Sequence, residues 1–264
     1  MKYFINNLEG PRTISPRTAF ASPFQALTMM LNVPGMFAVS ILAGILCLLS
    51  AAIPFLAFFI VPMSLSLIMA KTVSAICDTD ADWKDLNKWV YSRLKLRVWT
   101  FALMSLPPLI AVFGSIINLM QNTGTPEARN VSAIYYILIA IMFSSVWGLA
   151  LFSANFLAHR ENNGISVSCI QAISLLKKNV ISVIILLMNW FMELALIYCL
   201  LASAVITAPM LFGNTGILAI NIFTWGFLFI VLTFFLSHYL ITLGILGYQI
   251  FAPSAKEDDS VPQE

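Results

Sequence analysis

Two ionisable side chains stand in runs that are otherwise apolar, and their spacing lets them meet. Glu193 lies in the middle of LLMNWFMELALIYCLL (186–201), and His238 lies in FLSHYL (235–240). A carboxylate beside an imidazole can hold, give or take a proton, as acid–imidazole chains do in transporters. The two belong to long apolar segments joined by FGNTG (212–216), which reads as a turn. Glu193 falls about 22 residues before the centre of that turn and His238 about 23 after it. In an antiparallel helical hairpin they therefore lie at the same depth. Asn189, four residues before Glu193, shares its helix face and is a second candidate partner. The competing role is structural: a satisfied polar contact that fixes the register of the two helices.

Other chemistry is scarce. Asp78, Asp80 and Asp82 in DTDADWKD (78–85) match the first three ligand positions of a calcium loop, but Trp83 and Trp89 stand where that loop needs Gly and Glu. The acids are better suited to starting a helix. His159, beside Arg160, reads as a membrane-boundary residue with no ligand partner nearby. No C-x-x-C joins Cys47, Cys77, Cys169 and Cys199, and all four are expected to be reduced and non-catalytic. No nucleophile elbow, phosphate loop, zincin helix or dinucleotide fingerprint occurs. No metal site, cofactor site or catalytic residue is expected. Ser144, Gly148 and Asn155 share one helical face, which suits close helix packing better than a pore.

The elements that must position Glu193 and His238 follow from composition. Of 264 residues, 60% are hydrophobic and only 10% charged, against about 25% charged in soluble domains. Mean hydropathy is +0.90, which places the chain among polytopic membrane proteins. A net charge of +2 leaves no nucleic-acid footprint. The polar N-terminal stretch lacks the apolar core of a signal peptide. The fold expected is all-α: a membrane helical bundle of six spans, at about 35–52, 54–70, 98–119, 132–158, 180–208 and 217–250. Ile53–Pro54 suits a tight hairpin between the first two. Pro107–Pro108 is expected to kink the third. The apolar runs of the last two are longer than a ~30 Å hydrocarbon core needs, so they must tilt or project beyond it.

Lys and Arg set the orientation. With the N-terminus inside, the inner segments hold Lys2, Arg12, Arg17, Lys71, Lys84, Lys88, Arg93, Lys95, Arg97, Arg160, Lys177, Lys178 and Lys256, and the outer loops hold only Arg129. That excess marks the cytoplasmic side, so both termini are expected there. Three segments read as helices at the inner surface: 22–32, with Ser22 and Gln25 at capping-box spacing and Pro23 at the first helical position; 82–99, amphipathic and basic; and 166–179. FQALTMMLN (24–32) aligns with IQAISLLKK (170–178), and each leads into a pair of spans, which hints at a duplicated unit. Residues 1–20 are expected to be a polar arm, 21–251 a single transmembrane domain, and 252–264 an acidic disordered tail.

The segments SPFQALTMMLNVPGMF, IPFLAFFIVPMSLSLIMA, AISLLKKNVISVIILL and ITLGILGYQIFAP carry a resemblance. Over about 20–255 the chain resembles an uncharacterised family of six-span bacterial inner-membrane proteins. The resemblance implies a bacterial cytoplasmic membrane and a helical bundle. It implies no activity and supplies no catalytic residues. Two functions then compete: a non-enzymatic accessory or scaffold protein that docks a membrane partner or a second copy, and a small transporter or permease using Glu193 and His238. An enzyme is the least suited, because only one acid lies within a span.

Overall fold

The computed structural model describes residues 12–52, 54–76, 83–121, 147–158, 164–212 and 217–251. Among these there is no strand. The helices are α1 (Pro16–Asn32), α2 (Met36–Ala52), α3 (Pro54–Ile76), α4 (Trp83–Tyr91), α5 (Leu94–Gln121), α6 (Trp147–Leu157), α7 (Ile165–Lys178), α8 (Val180–Phe212) and α9 (Ile217–Phe251). Three stretches are long and apolar enough to cross a bilayer: Phe58–Ile76, Val180–Leu200 and Ile222–Phe251. A fourth arises if α1 and α2, bent by 113° at residues 33–35, count as one broken span. Most of the expected fourth span, the 121–130 loop, Ser144, Asp78, Asp80, Asp82, Cys77, His159 and the 252–264 tail lie outside the described residues.

The helices fall into three consecutive units, each a first, short helix and a pair after it: α1–α3, α4–α6 and α7–α9, with α1 and α2 equal at 17 residues. The second long helix of each unit is the inner one. From Leu65 to Ser74 in α3, Gly148 to Ala158 in and after α6, and Leu240 to Gly247 in α9, nearly every residue is buried. These three touch one another. Ser66 of α3 accepts a hydrogen bond from Asn155 of α6 at 3.1 Å. The Phe156 ring of α6 lies 4.7 Å from that of Phe251 of α9. A Cβ on Gly247 of α9 would overlap Phe152 of α6, and one on Gly244 would press on Thr72 of α3. Small residues thus let bulky neighbours seat at the backbone, the usual route to close packing where water supplies no drive between helices. The first long helices, α2, α5 and α8, face outward with exposed Leu42, Leu103, Ile110, Ile184 and Met192.

α4 and α7 each pack on the unit before their own. α4 lies against α3. α7 lies against α5 and α6, where Cys169 and Ala172 meet Met104, Ala150 and Ala154. α1, the first described helix, packs on α8 and α9, the last described pair. The likeness of 24–32 to 170–178 extends to burial: Ser22, Pro23 and Ala26 face inward on α1, as Ser168, Cys169 and Ala172 do on α7.

Two expectations about the short helices need correction. The first helix starts at Pro16 rather than Ser22. Ser15 caps it by accepting from the Thr18 amide at 3.1 Å, and Pro16 takes the first turn, where a missing N–H costs nothing. Ser22 and Pro23 lie inside the helix. Pro23 cannot donate to the Ala19 carbonyl, and the Ser22 hydroxyl does so instead at 3.0 Å. The small residues of this helix face α8 and α9, while Phe20, Phe24, Leu27 and Leu31 point outward. The second segment is not one helix over 82–99. It breaks after Tyr91, and Arg93 takes a left-handed φ of 51° before α5 begins. The third is placed as expected, over Ile165–Lys178. α2 ends at Ala52 and α3 begins at Pro54, and the two pack along each other. α5 runs through Pro107–Pro108 without leaving the helix.

Candidate functional site

The α8–α9 pair brings Glu193 and His238 together, with His238 Nδ1 3.1 Å from Glu193 Oε2. The site is set by the packing of α1 into the groove that α8 and α9 form. Hydrogen bonds mark the register. The Arg12 amide donates to the Ile250 carbonyl, and the Ile14 amide donates to Asn179 Oδ1 at 2.6 Å. Ser182 Oγ donates to the Ile14 carbonyl at 2.6 Å, and Asn189 Nδ2 to the Phe20 carbonyl at 3.3 Å. His238 Nε2 meets the Pro23 carbonyl at 2.7 Å. These contacts climb α8 and descend α9 in step, so α1 runs with α8 and against α9. From Asn179 to Glu193 the rise is roughly 21 Å at 1.5 Å per residue. α1 is therefore bound well into the bundle.

Asn189 shares a helix face with Glu193 but does not bond to it; its amide serves the Phe20 carbonyl. Of the three sequence-designated residues, Glu193 and His238 meet each other, and His238 and Asn189 both hold α1. The pair is partly enclosed, with the His238 side chain 11% and the Glu193 side chain 24% exposed. Trp190 and Tyr239 lie alongside, ring centroids 4.6 Å apart.

The protonation of the pair follows from its acceptors. A peptide carbonyl has no proton to give, so the Nε2–Pro23 bond requires Nε2–H. Neutral imidazole has only one N–H, which leaves Nδ1 a bare lone pair facing a carboxyl oxygen. The Nδ1–Oε2 contact is then a hydrogen bond only when one further proton lies between them. That proton sits on the carboxyl, giving a neutral pair, or on the ring, giving an ion pair. In either form the arrangement stores one proton beyond a carboxylate and a neutral imidazole.

A second polar junction escaped the sequence reading. Arg97, expected on the outer basic face, is fully buried. Its Nη1 donates to Ser66 Oγ of α3, and its Nη2 to the Ser92 carbonyl at 2.7 Å and the Trp89 carbonyl at 3.4 Å. The guanidinium carbon lies 6.0 Å from the Trp89 ring centre. Arg97 thereby satisfies the carbonyls that end α4 and ties them to α3, a favourable place for a cation. Burial lowers its pKa to about 10, so it stays charged at neutral pH. Ser66 also accepts from Asn155, so one hydroxyl joins α3, α5 and α6. The available signal was Ser66 and Asn155, polar residues in apolar runs, with an arginine one residue before a span.

The small residues of the expected fourth span pack as anticipated where they are described. The Tyr239 hydroxyl occupies the space a Cβ on Gly148 would take, and Asn155 bonds Ser66. Cys47, Cys169 and Cys199 are free thiols. Burial pushes the Cys169 thiol up and keeps it unreactive. Among the described residues no group of His, Cys, Asp and Glu could hold a metal ion. Comparison of the chain with family models, curated proteins and solved structures finds no match. The functional reading therefore rests on the geometry alone.

Proposed function

We propose that this chain is a non-enzymatic integral protein of a bacterial inner membrane, with six spans and both termini cytoplasmic. We read it as an accessory or scaffold subunit whose basic end receives the acidic face of a membrane-protein partner. One observation carries the reading. The start of α1, the ends of α3, α6 and α9, and the junctions leading into α5 and α8 gather at one end of the bundle, and exposed cations collect there. Lys84, Lys88, Arg93 and Lys95 project around α4 and the start of α5, and Lys177 and Lys178 from the end of α7. Glu193, the one acid whose side chain is described, lies away from that end. Among the described side chains that end carries one sign, and such a surface attracts the opposite sign.

The test is a mild-detergent capture of the tagged protein from its native membrane, with stoichiometry read by mass spectrometry. A partner at near-equal abundance is expected, and changing Lys84, Lys88, Lys177 and Lys178 together to Glu should release it. Recovery of the chain alone, or with its own copies, would instead favour a second reading. That reading is a small proton-coupled permease, and the 3.1 Å contact of Glu193 with His238 is the observation that supports it. In liposomes its signature is a flux that Glu193→Gln abolishes in a folded protein.

A further inference from the structure

We propose that the proton shared by Glu193 and His238 is a latch on α1: with it bound, the helix is docked against α8 and α9, and with it lost, the C-terminal half of α1 is released. The inference goes beyond either functional reading and requires no partner. His238 stands between two acceptors, the Glu193 carboxyl at Nδ1 and the Pro23 carbonyl at Nε2. When the shared proton leaves, a neutral ring with one N–H faces two groups that can only accept. Either the ring keeps its bond to Pro23 and turns a lone pair on the carboxylate, or it turns its N–H to the carboxylate and a lone pair on the carbonyl. One of the two bonds must go. The carboxylate is the stronger acceptor, so the bond lost is the one that holds α1.

The rest of α1 is built to allow this. Residues 12–20 stay tied through Ile14 to Asn179 and Ser182 and through Phe20 to Asn189. Beyond Pro23 the described polar contact of the helix is internal, Thr28 to the Phe24 carbonyl. That half is held by Ala26 and Met30, and it ends in an elbow where Gly35 has φ +72°. The elbow lets α1 change its angle to α2 without disturbing α2 itself.

No other charge is placed to take over the titration. From Thr18 to Asn32, α1 has no titratable side chain. The titratable side chains on the elements packed around the pair are Cys47 on α2, Tyr198 and Cys199 on α8, and Tyr239 and Tyr248 on α9. Lys71 on α3 is next to Thr72, which meets Gly244, farther along α9. Arg17 sits in the first turn of α1 and is exposed.

The experiment uses the full chain with its four cysteines replaced by serine, spin-labelled at Leu27→Cys on α1 and Met192→Cys on α8, in lipid nanodiscs. The distance between labels is measured by pulsed spin resonance from about pH 5 to about pH 9, the range that brackets histidine chemistry. A single short distance is expected at the acid end. A longer population should grow with pH, the docked-to-released ratio falling by about tenfold, the effect of one buried hydrogen bond. Glu193→Gln should hold the short distance throughout, because its amide donates to Nδ1 with no proton to lose. His238→Asn, which cannot titrate, should give a distance distribution that does not change with pH. A wild-type distance that is constant across the range overturns the latch. So does a variant that follows pH as the wild type does.

Discussion

Two polar junctions tie neighbouring units of this bundle, and they are made of opposite materials. At the α4 junction a buried guanidinium spreads its donors over two backbone carbonyls and a serine. It meets no carboxylate among the described residues and keeps its charge at neutral pH. At the α1 junction an imidazole and a carboxyl share a proton and pass one donor to a backbone carbonyl. The first junction is permanently charged and buried. The second is partly exposed and depends on a proton that can come and go. The core of the α7 junction is built from the small residues Cys169, Ala172, Ala150 and Ala154. A common architecture thus carries a clamp, a latch and a seam with a small-residue core.

Removing the clamp should cost most. Arg97→Leu takes the guanidinium donors from the Ser92 carbonyl and the Ser66 hydroxyl and empties a fully buried site, and it should destabilise the protein by about 3 kcal/mol in SDS titrations. Arg97→Lys should recover only part of this, because an ammonium cannot reach the same acceptors as a planar fork. His238→Ala should rank next, at about 2 kcal/mol for two lost hydrogen bonds. If it equals or exceeds Arg97→Leu, the two junctions do not differ as described. Gly148→Ala pushes the Tyr239 hydroxyl off the α6 backbone, and about 1–2 kcal/mol is expected in the same titration. Asn189→Ala removes one longer bond to Phe20 and should cost about 1 kcal/mol or less. The smallest effect is expected in the small-residue seam. Cys169→Ala should change stability by under about 1 kcal/mol, and maleimide should label Cys169 slowly until the protein is unfolded.

Much of this arrangement was legible in the sequence for physical reasons. Long charge-free runs announce membrane helices, and counting outward from FGNTG put Glu193 and His238 at one depth without any structure. The surface helix read at 166–179 matches α7. What the sequence hid were choices between equivalent signals. Ser15-Pro16 and Ser22-Pro23 are both good helix starts, and only the docking of residues 12–20 onto α8 and α9 selects the first. The break at Arg93 needs no glycine or proline, so no local signal marks it. Arg97 sits among exposed cations in sequence, and burial separates it from them only when α4 folds back onto α3. The middle unit was hidden because α4 shares no alignable stretch with α1 and α7, although, like α7, it packs on the unit before its own.

The closing of α1 onto the last pair of helices also sets an order of assembly. His238 follows Pro23 by 215 residues along the chain. At ribosomal speeds of about 5–20 residues per second, roughly 10–40 s pass between the synthesis of the two. Throughout that interval α1 exists with the groove it fits not yet made, its small inward face and its outward phenylalanines both uncovered. Among the described helices, the one made earliest is thus seated only once the one made latest exists. A chain cut short before α9 lacks one wall of the groove that α1 fills.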